Sequence, residues 1–314
     1  MAKLAVVDLS NEDCFKPGTS SWLSVRKDIC HALEDLGCFV AILPDKISSE
    51  LRSAHFGMLD ELFDFPTETK MKSSYEKPYP TGYQRVEGAA YESLGIAGAT
   101  NPEQTQIFEH HFWPNGNDVF HETADLYIKV MEELHHAVTR MVFEKYGVEE
   151  YLDDHLQSTI HTCRFSKYSE PAEKTGTDMS ILRGIHGHTD TNFTTILYQN
   201  DVKGLEIKSK DDEWIGFDPL PSSFIFLAGD GVQVWSNDRI RACRHRVTWS
   251  ENDVRYSGGL FSFRVGETHT PKELIDEDHP LQYKPLNTSV YTEYRKKNYA
   301  SIGPDYTVKA YCGV

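Results

Sequence analysis

The chemistry-bearing residues of this 314-residue chain start with His188-Thr189-Asp190. In a β-strand, residues i and i+2 project to the same face, so this imidazole and carboxylate can reach one metal ion. His245, in Arg244-His245-Arg246-Val247, can supply a third ligand. Two His and one carboxylate on one side of a metal leave the other side open, a donor set suited to O₂ chemistry at iron(II). By itself the pair is weak. With 48 Asp and Glu among 314 residues, 14 His give about two such pairs by accident. A lone distal His is also more often a hydrogen-bonded core residue than a ligand. Arg255-Tyr256-Ser257 adds weight, because Arg255 and Ser257 would share one strand face. A guanidinium fork and a hydroxyl on one face suit a carboxylate. Tyr168 stands at the end of an earlier strand and could add a phenolic hydroxyl.

These residues need a scaffold of short strands. From Ser158 onward, strand-like runs recur at Thr159–Tyr168, Thr194–Tyr198, Gly204–Lys208, Ser223–Leu227, Cys243–Trp249 and Arg255–Phe263. Turn signals separate them, and the spacing predicts a double-sheet jelly roll or barrel. The first part is mixed. Leu4–Val7 and Cys38–Leu43 read as strands. Trp22, Val25, Ile29, Leu33 and Leu36 recur at helical spacing, with Gly37 placed to end the helix. A second helix carries Leu51, Ala54, Met58 and Leu62, is capped near Ser48 or Ser49 and is broken by Pro66. Residues Lys77–Gly98, rich in Pro, Gly and Tyr, read as irregular. A long helix is expected over Val119–Tyr146, with its stripe in the core and Gly147 at its end. A terminal helix over Thr288–Lys297 would be capped by Asn287. The expected fold class is therefore α+β, mostly β. An N-terminal α/β region (1–150) would pack on a jelly-roll region (151–314) to make one compact unit.

Composition narrows the function. Lys plus Arg number 32 against 48 Asp plus Glu, a formal charge of −16, which is unsuited to gripping nucleic acid or anionic lipid. No apolar run approaches the roughly 20 residues of a membrane span, and no signal peptide is visible. The 6 cysteines are scattered without a CxxC, as in reduced cytosolic proteins. The expectation is a cytoplasmic protein, monomeric, with a small-molecule substrate and no nucleic-acid or membrane partner.

The motifs taken together resemble the plant soluble 2-oxoglutarate/iron(II)-dependent dioxygenases. His188-Thr189-Asp190, Arg244–Val247 and Arg255–Ser257 carry the resemblance. Phe226-Leu227-Ala228-Gly229-Asp230, Trp235–Asp238, Gly204-Leu205-Glu206, Asp218–Pro221 and Gly37-Cys38-Phe39 extend it across essentially the whole chain. The resemblance implies a double-stranded β-helix of cupin type flanked by N-terminal helices. It implies His188, Asp190 and His245 as iron ligands, and Arg255 and Ser257, assisted by Tyr168, as the binding site for the distal carboxylate of 2-oxoglutarate. The family's usual N-x-Y-P reads Ser166-Lys167-Tyr168-Ser169 here, which leaves one hydrogen bond near the co-substrate open. The implied cofactors are Fe(II), 2-oxoglutarate and O₂, with ascorbate as reductant. The implied reaction couples decarboxylation of 2-oxoglutarate to succinate with hydroxylation or desaturation of a substrate C–H bond. Asp190 stands where halide binds in halogenating relatives and so argues against halogenation.

Glu92–Gly95, Trp113–Gly116, Asp153–Leu156 and Ala310–Val314 resemble the AOP-like branch. Members of that branch and their relatives modify glucosinolates, alkaloids and triterpenoids, so the branch does not name a substrate. Strand alternation puts Arg164 and Ser166 on the face of Tyr168, and Phe261 and Phe263 on the face of Arg255. The stretch Phe108-Glu109-His110-His111-Phe112 aligns with a substrate-facing family strand. Arg164, Phe108, His110, Phe112, Phe261 and Phe263 are thus the candidate substrate residues, with plain core packing the competing reading for the aromatics. Arg164 could instead pair with an internal acid such as Glu109, or face solvent if the register slips. His186 would be an outer-shell residue. A 2-oxoglutarate-independent oxidase of the same fold, a non-catalytic cupin-like binding protein and a zinc hydrolase are the alternatives.

Overall fold

The structure is a computed structural model and describes residues 3–73, 81–85, 91–169, 184–248 and 253–314. The chain runs through β1 (Val6–Asp8), α1 (Ser20–Leu36), β2 (Cys38–Ile42), α2 (Ser49–Asp64), α3 (Thr67–Lys72), β3 (Gly82–Arg85) and β4 (Tyr91–Ala97). It continues with α4 (Pro102–Phe112), α5 (Asp118–Tyr146), α6 (Leu152–Gln157), β5 (Thr159–Tyr168), β6 (Gly184–His188) and β7 (Thr194–Gln199). Next come β8 (Leu205–Lys208), β9 (Trp214–Gly216), β10 (Ser223–Ala228), β11 (His245–Thr248) and β12 (Arg255–Arg264), and helices Thr288–Ile302 and Val308–Cys312 close the chain.

The helix ends follow local chemistry. Thr19 caps α1 by accepting the Trp22 N–H at 3.1 Å, and Gly37 ends it at φ 68°. Ser48 and Asn117 cap α2 and α5 in the same way, Gly147 ends α5 at φ 66°, and Asn287 caps the C-terminal helix.

An eight-stranded sheet has the order β1-β2-β10-β7-β12-β5-β4-β3, and a four-stranded sheet the order β6-β11-β8-β9. All pairings within them are antiparallel except β1 with β2. The larger sheet takes strands from both sides of residue 150. Strand alternation sorts its side chains. Phe224 and Phe226 join the core under α1, α2, α4 and α5, whereas Ile225 and Leu227 face a second core with Leu205, Ile207 and Val247 of the smaller sheet. The space between the two sheets holds the site. Helix takes 43% of residues against 26% strand, so the site-bearing strands carry a thick helical coat. Among the described residues no helix is long and apolar enough to cross a membrane. The six cysteines are free and buried.

Two expectations need correction. Residues Lys77–Gly98 are not irregular where described. Strand β4 pairs with β5 in register from Tyr91↔Tyr168 to Ala97↔Thr162, and β3 pairs with β4; 77–80 and 86–90 lie outside the described residues. The pairing partner, distant in sequence, dictates these strands more than local propensity does. Residues Phe108–Phe112 form no strand but the last turn of α4, which starts at the Asn101 cap with Pro102 in its first turn.

Candidate active site

His188 ends β6, and His245 opens β11 directly opposite it in the ladder. Asp190 lies two residues past the end of β6. It is held there by its own C=O, which accepts the Asp230 N–H at 2.7 Å. Gly229 permits this approach, because a Cβ there would collide with the carbonyl of Asn192. Ligand atoms of the three residues all lie within 4.8 Å of one another. His188 Nδ1 donates to His186 C=O at 2.8 Å, and His245 Nδ1 donates to Cys243 C=O at 3.1 Å. A carbonyl can only accept, so both rings carry a proton on Nδ1 and turn Nε2 toward the cavity. Those two Nε2 atoms stand 3.5 and 3.9 Å from Asp190 Oδ1. Thr195 donates to Asp190 Oδ2 at 2.6 Å. Burial alone would raise the Asp190 carboxyl, but His245, His188 and Thr195 override it and hold the group well below the usual carboxylate range. Burial, reinforced by His188, lowers His245, and Asp190 draws it back. Two imidazoles and an ionised carboxylate within reach of one point fit a divalent iron.

The facing wall belongs to the larger sheet. Arg255 is 1% exposed and pairs across the ladder with Tyr168, and Ser257 pairs with Ser166. The Arg255 guanidinium donates to Gln199 Oε1 at 2.8 Å and to Ser257 Oγ at 3.4 Å, and lies 4.7 Å from the centre of the Tyr168 ring. Its Nε has no partner, and among the described residues no carboxylate pairs with it. A buried cation without an anion is costly, and a carboxylate ligand would relieve it. The carboxylate of 2-oxoglutarate fits a buried guanidinium of this kind. The Tyr168 phenol is pushed up by burial and drawn back by Arg255.

A cavity of about 220 Å³ joins the two walls. Its lining includes His188, Asp190, His245, Arg255, Ser257 and Tyr168, and also Arg164, Phe261 and Phe263. Arg164 is 8% exposed and donates to Gln84 at 2.8 Å and Ser93 at 3.0 Å. It does not pair with Glu109, whose carboxylate accepts the Asn117 N–H at 2.6 Å. Phe108 and Phe112 are in the helical core, His110 is exposed on α4, and none of the three lines the cavity. His186 points to solvent and contributes its backbone carbonyl. Tyr91, Thr195 and Gln199 were not singled out from sequence. Thr195, Leu197 and Gln199 share one face of β7 by their period of two, which was the available signal.

Two His and one carboxylate facing a buried guanidinium across one cavity form the donor set of the non-haem iron(II) oxygenases. Comparison with known proteins agrees. The family model for the 2OG-Fe(II) oxygenase superfamily matches residues 160–264, and that for the non-haem dioxygenase in morphine synthesis N-terminal matches residues 4–126. The probable 2-oxoglutarate-dependent dioxygenase AOP1.2 of Arabidopsis thaliana is 39% identical over 295 residues, 93% of this chain and 89% of that protein. The crystal structure of the rice dioxygenase for auxin oxidation covers 99% of this chain and 100% of its own, with TM-score 0.77 and 24% identity. The Arabidopsis thaliana dioxygenase for auxin oxidation 1, in complex with 2-oxoglutarate, covers 88% and 100%, with TM-score 0.75 and 26% identity. The chain belongs to the 2-oxoglutarate- and iron(II)-dependent dioxygenase family. It is an oxidoreductase with iron(II) and 2-oxoglutarate as cofactor and co-substrate.

Proposed function

We propose that this enzyme hydroxylates or desaturates a small specialised plant metabolite at the cavity between the two sheets. The observation that carries the reading is the placement of buried, carboxylate-free Arg255 across the cavity from His188, Asp190 and His245. In this reading the three residues hold the iron through the two Nε2 atoms and a carboxylate oxygen. Bound iron supplies the activation of O₂ that is coupled to decarboxylation of the keto acid. Arg255, with Ser257 and Tyr168, grips the distal carboxylate and so fixes how far the keto end reaches toward the metal. Thr195 and the two backbone carbonyls keep the ligands from rotating. Phe261 and Phe263 exclude water and support an apolar substrate body, and Arg164 meets a carboxylate or another oxygen-rich group on it. The relatives named for auxin oxidation support a substrate with an acid group on a compact apolar frame. The reading includes a monomer in the cytoplasm, where six buried free thiols suit a reducing milieu, with ascorbate keeping the iron reduced.

The test is a coupled assay over a panel of plant carboxylic acids and their neutral esters, with Fe(II), ascorbate and 2-oxoglutarate. Succinate should form in step with an oxidised product, and acids should be preferred over esters. Turnover without 2-oxoglutarate would replace this reading with the co-substrate-independent oxidase.

A further inference from the structure

Strand β5 has two faces. Thr162, Arg164, Ser166 and Tyr168 line the cavity, while Cys163 and Phe165 join the core beneath the helices. By alternation His161 belongs to that second face, away from the catalytic triad. It meets α5 there. Glu132 and His136 stand four apart on α5, on one side of the helix. Ligand atoms of Glu132, His136 and His161 all lie within 4.8 Å of one another. None of the three lines the cavity described above.

One member of the cluster is held in place. His161 is 5% exposed, and Ser262 Oγ sits 3.0 Å from its Nδ1, which fixes the ring. Glu132 and His136, half-buried and exposed respectively, face the ring from α5. Beside them His135 is fully buried, with its ring 4.9 Å from that of His161 and its Nε2 unpartnered.

We propose that Glu132, His136 and His161 form a second metal site, for a divalent transition metal of the zinc type, on the reverse face of the strand that carries Tyr168. Two imidazoles and a carboxylate are ordinary zinc ligands, with water to complete the tetrahedron. Ligand atoms around tetrahedral zinc stand about 3.4 Å apart. His136 is exposed and Glu132 half-buried, so rotation of these two side chains can close the gap onto a fixed His161. The bound ion ties α5 to β5 and stabilises the folded chain by mass action. The proposal stands independently of the catalytic reading, because the two clusters share no residue.

The experiment uses the full chain stripped with EDTA, titrated with Zn²⁺ alone and passed through a desalting column before elemental analysis. Wild type should retain two equivalents, His188→Ala one, His136→Ala one, and the double variant none. Glu132→Gln should weaken the second site by about a hundredfold or more, beyond what loss of an outer-shell partner costs. Zn²⁺ should raise the Tm of His188→Ala but not that of the double variant. The proposal is overturned if His188→Ala retains no zinc, if His136→Ala retains as much as wild type, or if zinc binds the second cluster only at millimolar concentration.

Discussion

Replacing Arg255 with Met separates the binding of 2-oxoglutarate from the stability of the fold. Arg255 is 1% exposed, and it donates to Gln199 at 2.8 Å and Ser257 at 3.4 Å. Its guanidinium stays charged at any ordinary pH. The ligand-free protein therefore already bears the cost of an unpaired buried charge, several kcal/mol by general experience. Methionine keeps most of the volume and removes the charge, so the ligand-free Tm of Arg255→Met should match or exceed that of wild type. Binding of the co-substrate should suffer instead. Losing a charge-assisted hydrogen bond costs about 1.5–3 kcal/mol. At 1.36 kcal/mol per decade this is a rise of roughly ten- to a hundredfold or more in Kd. Ser257→Ala removes a weaker bond of about 0.5–1.5 kcal/mol and should raise Kd only about two- to tenfold. Anaerobic calorimetry of the iron-loaded variants with 2-oxoglutarate measures both values. An Arg255→Met Kd within a factor of about three of wild type would refute the assignment. So would a Ser257→Ala defect larger than that of Arg255→Met.

His188→Ala, Asp190→Ala and His245→Ala should each abolish turnover by losing iron while keeping the wild-type circular dichroism spectrum; an Asp190→Ala protein with full iron and normal turnover would contradict the triad. Arg164→Ala should weaken substrate binding by about 1.5–3 kcal/mol and leave 2-oxoglutarate binding intact, so succinate should exceed product; an unchanged succinate-to-product ratio and substrate KM would remove Arg164 from the substrate wall. His155 is 1% exposed with both ring nitrogens unpartnered, and burial pushes it down to about 3. The unfolded chain takes up a proton near pH 6.5 and the folded one refuses it, so this residue costs stability as pH falls, by about 1.4 kcal/mol between pH 7.5 and 5.5. His155→Leu should be no less stable than wild type at pH 7.5 and should lose correspondingly less by pH 5.5 in urea titrations; equal losses would place the acid sensitivity elsewhere.

The parts of the site legible in sequence are those where one periodicity governs. Arg255 and Ser257 two apart, and Arg164 and Tyr168 four apart, reach the cavity because a pleated strand alternates, whereas Asp190, two residues past the end of β6, is brought beside His188 by its backbone bond to Asp230. Phe108 and Phe112 show the reverse case. Four apart after Asn101 and Pro102, they carry a helix signal that an alignment to a family strand overrode. Tyr91 was hidden for another reason. Strand β4 contains Gly95 and follows a Pro-rich stretch, and its register is set by β5, more than 60 residues later. The hydrogen bonds of Gln199 to Arg255 and of Thr195 to Asp190 could not be read in sequence, because polar residues on alternate positions reveal their partners only when two distant strands are brought together.

In the proposed reading those partners determine how the site takes up its metal. Each ligand is held by a bond that does not depend on the ion: His188 by His186, His245 by Cys243, and Asp190 by Thr195 and the Asp230 N–H. The C-terminal helix braces the same segment from outside. Arg295 donates to Thr189 C=O at 3.1 Å and approaches Asp230 at 3.4 Å, and Thr292 meets Thr191 at 2.6 Å. Asp230 is buried and its carboxyl is pushed up to about 6, with Arg295 drawing it back, so this brace works on a group that burial alone would neutralise. A site framed in this way is built before the metal arrives, so loading is a binding step on a folded protein and not a folding step. The second cluster differs in that respect. Only His161 is fixed there, and Glu132 and His136 must move to complete it. The first site should therefore fill with little change in backbone exchange rates, whereas zinc at the second should slow amide exchange along α5 and the start of β5.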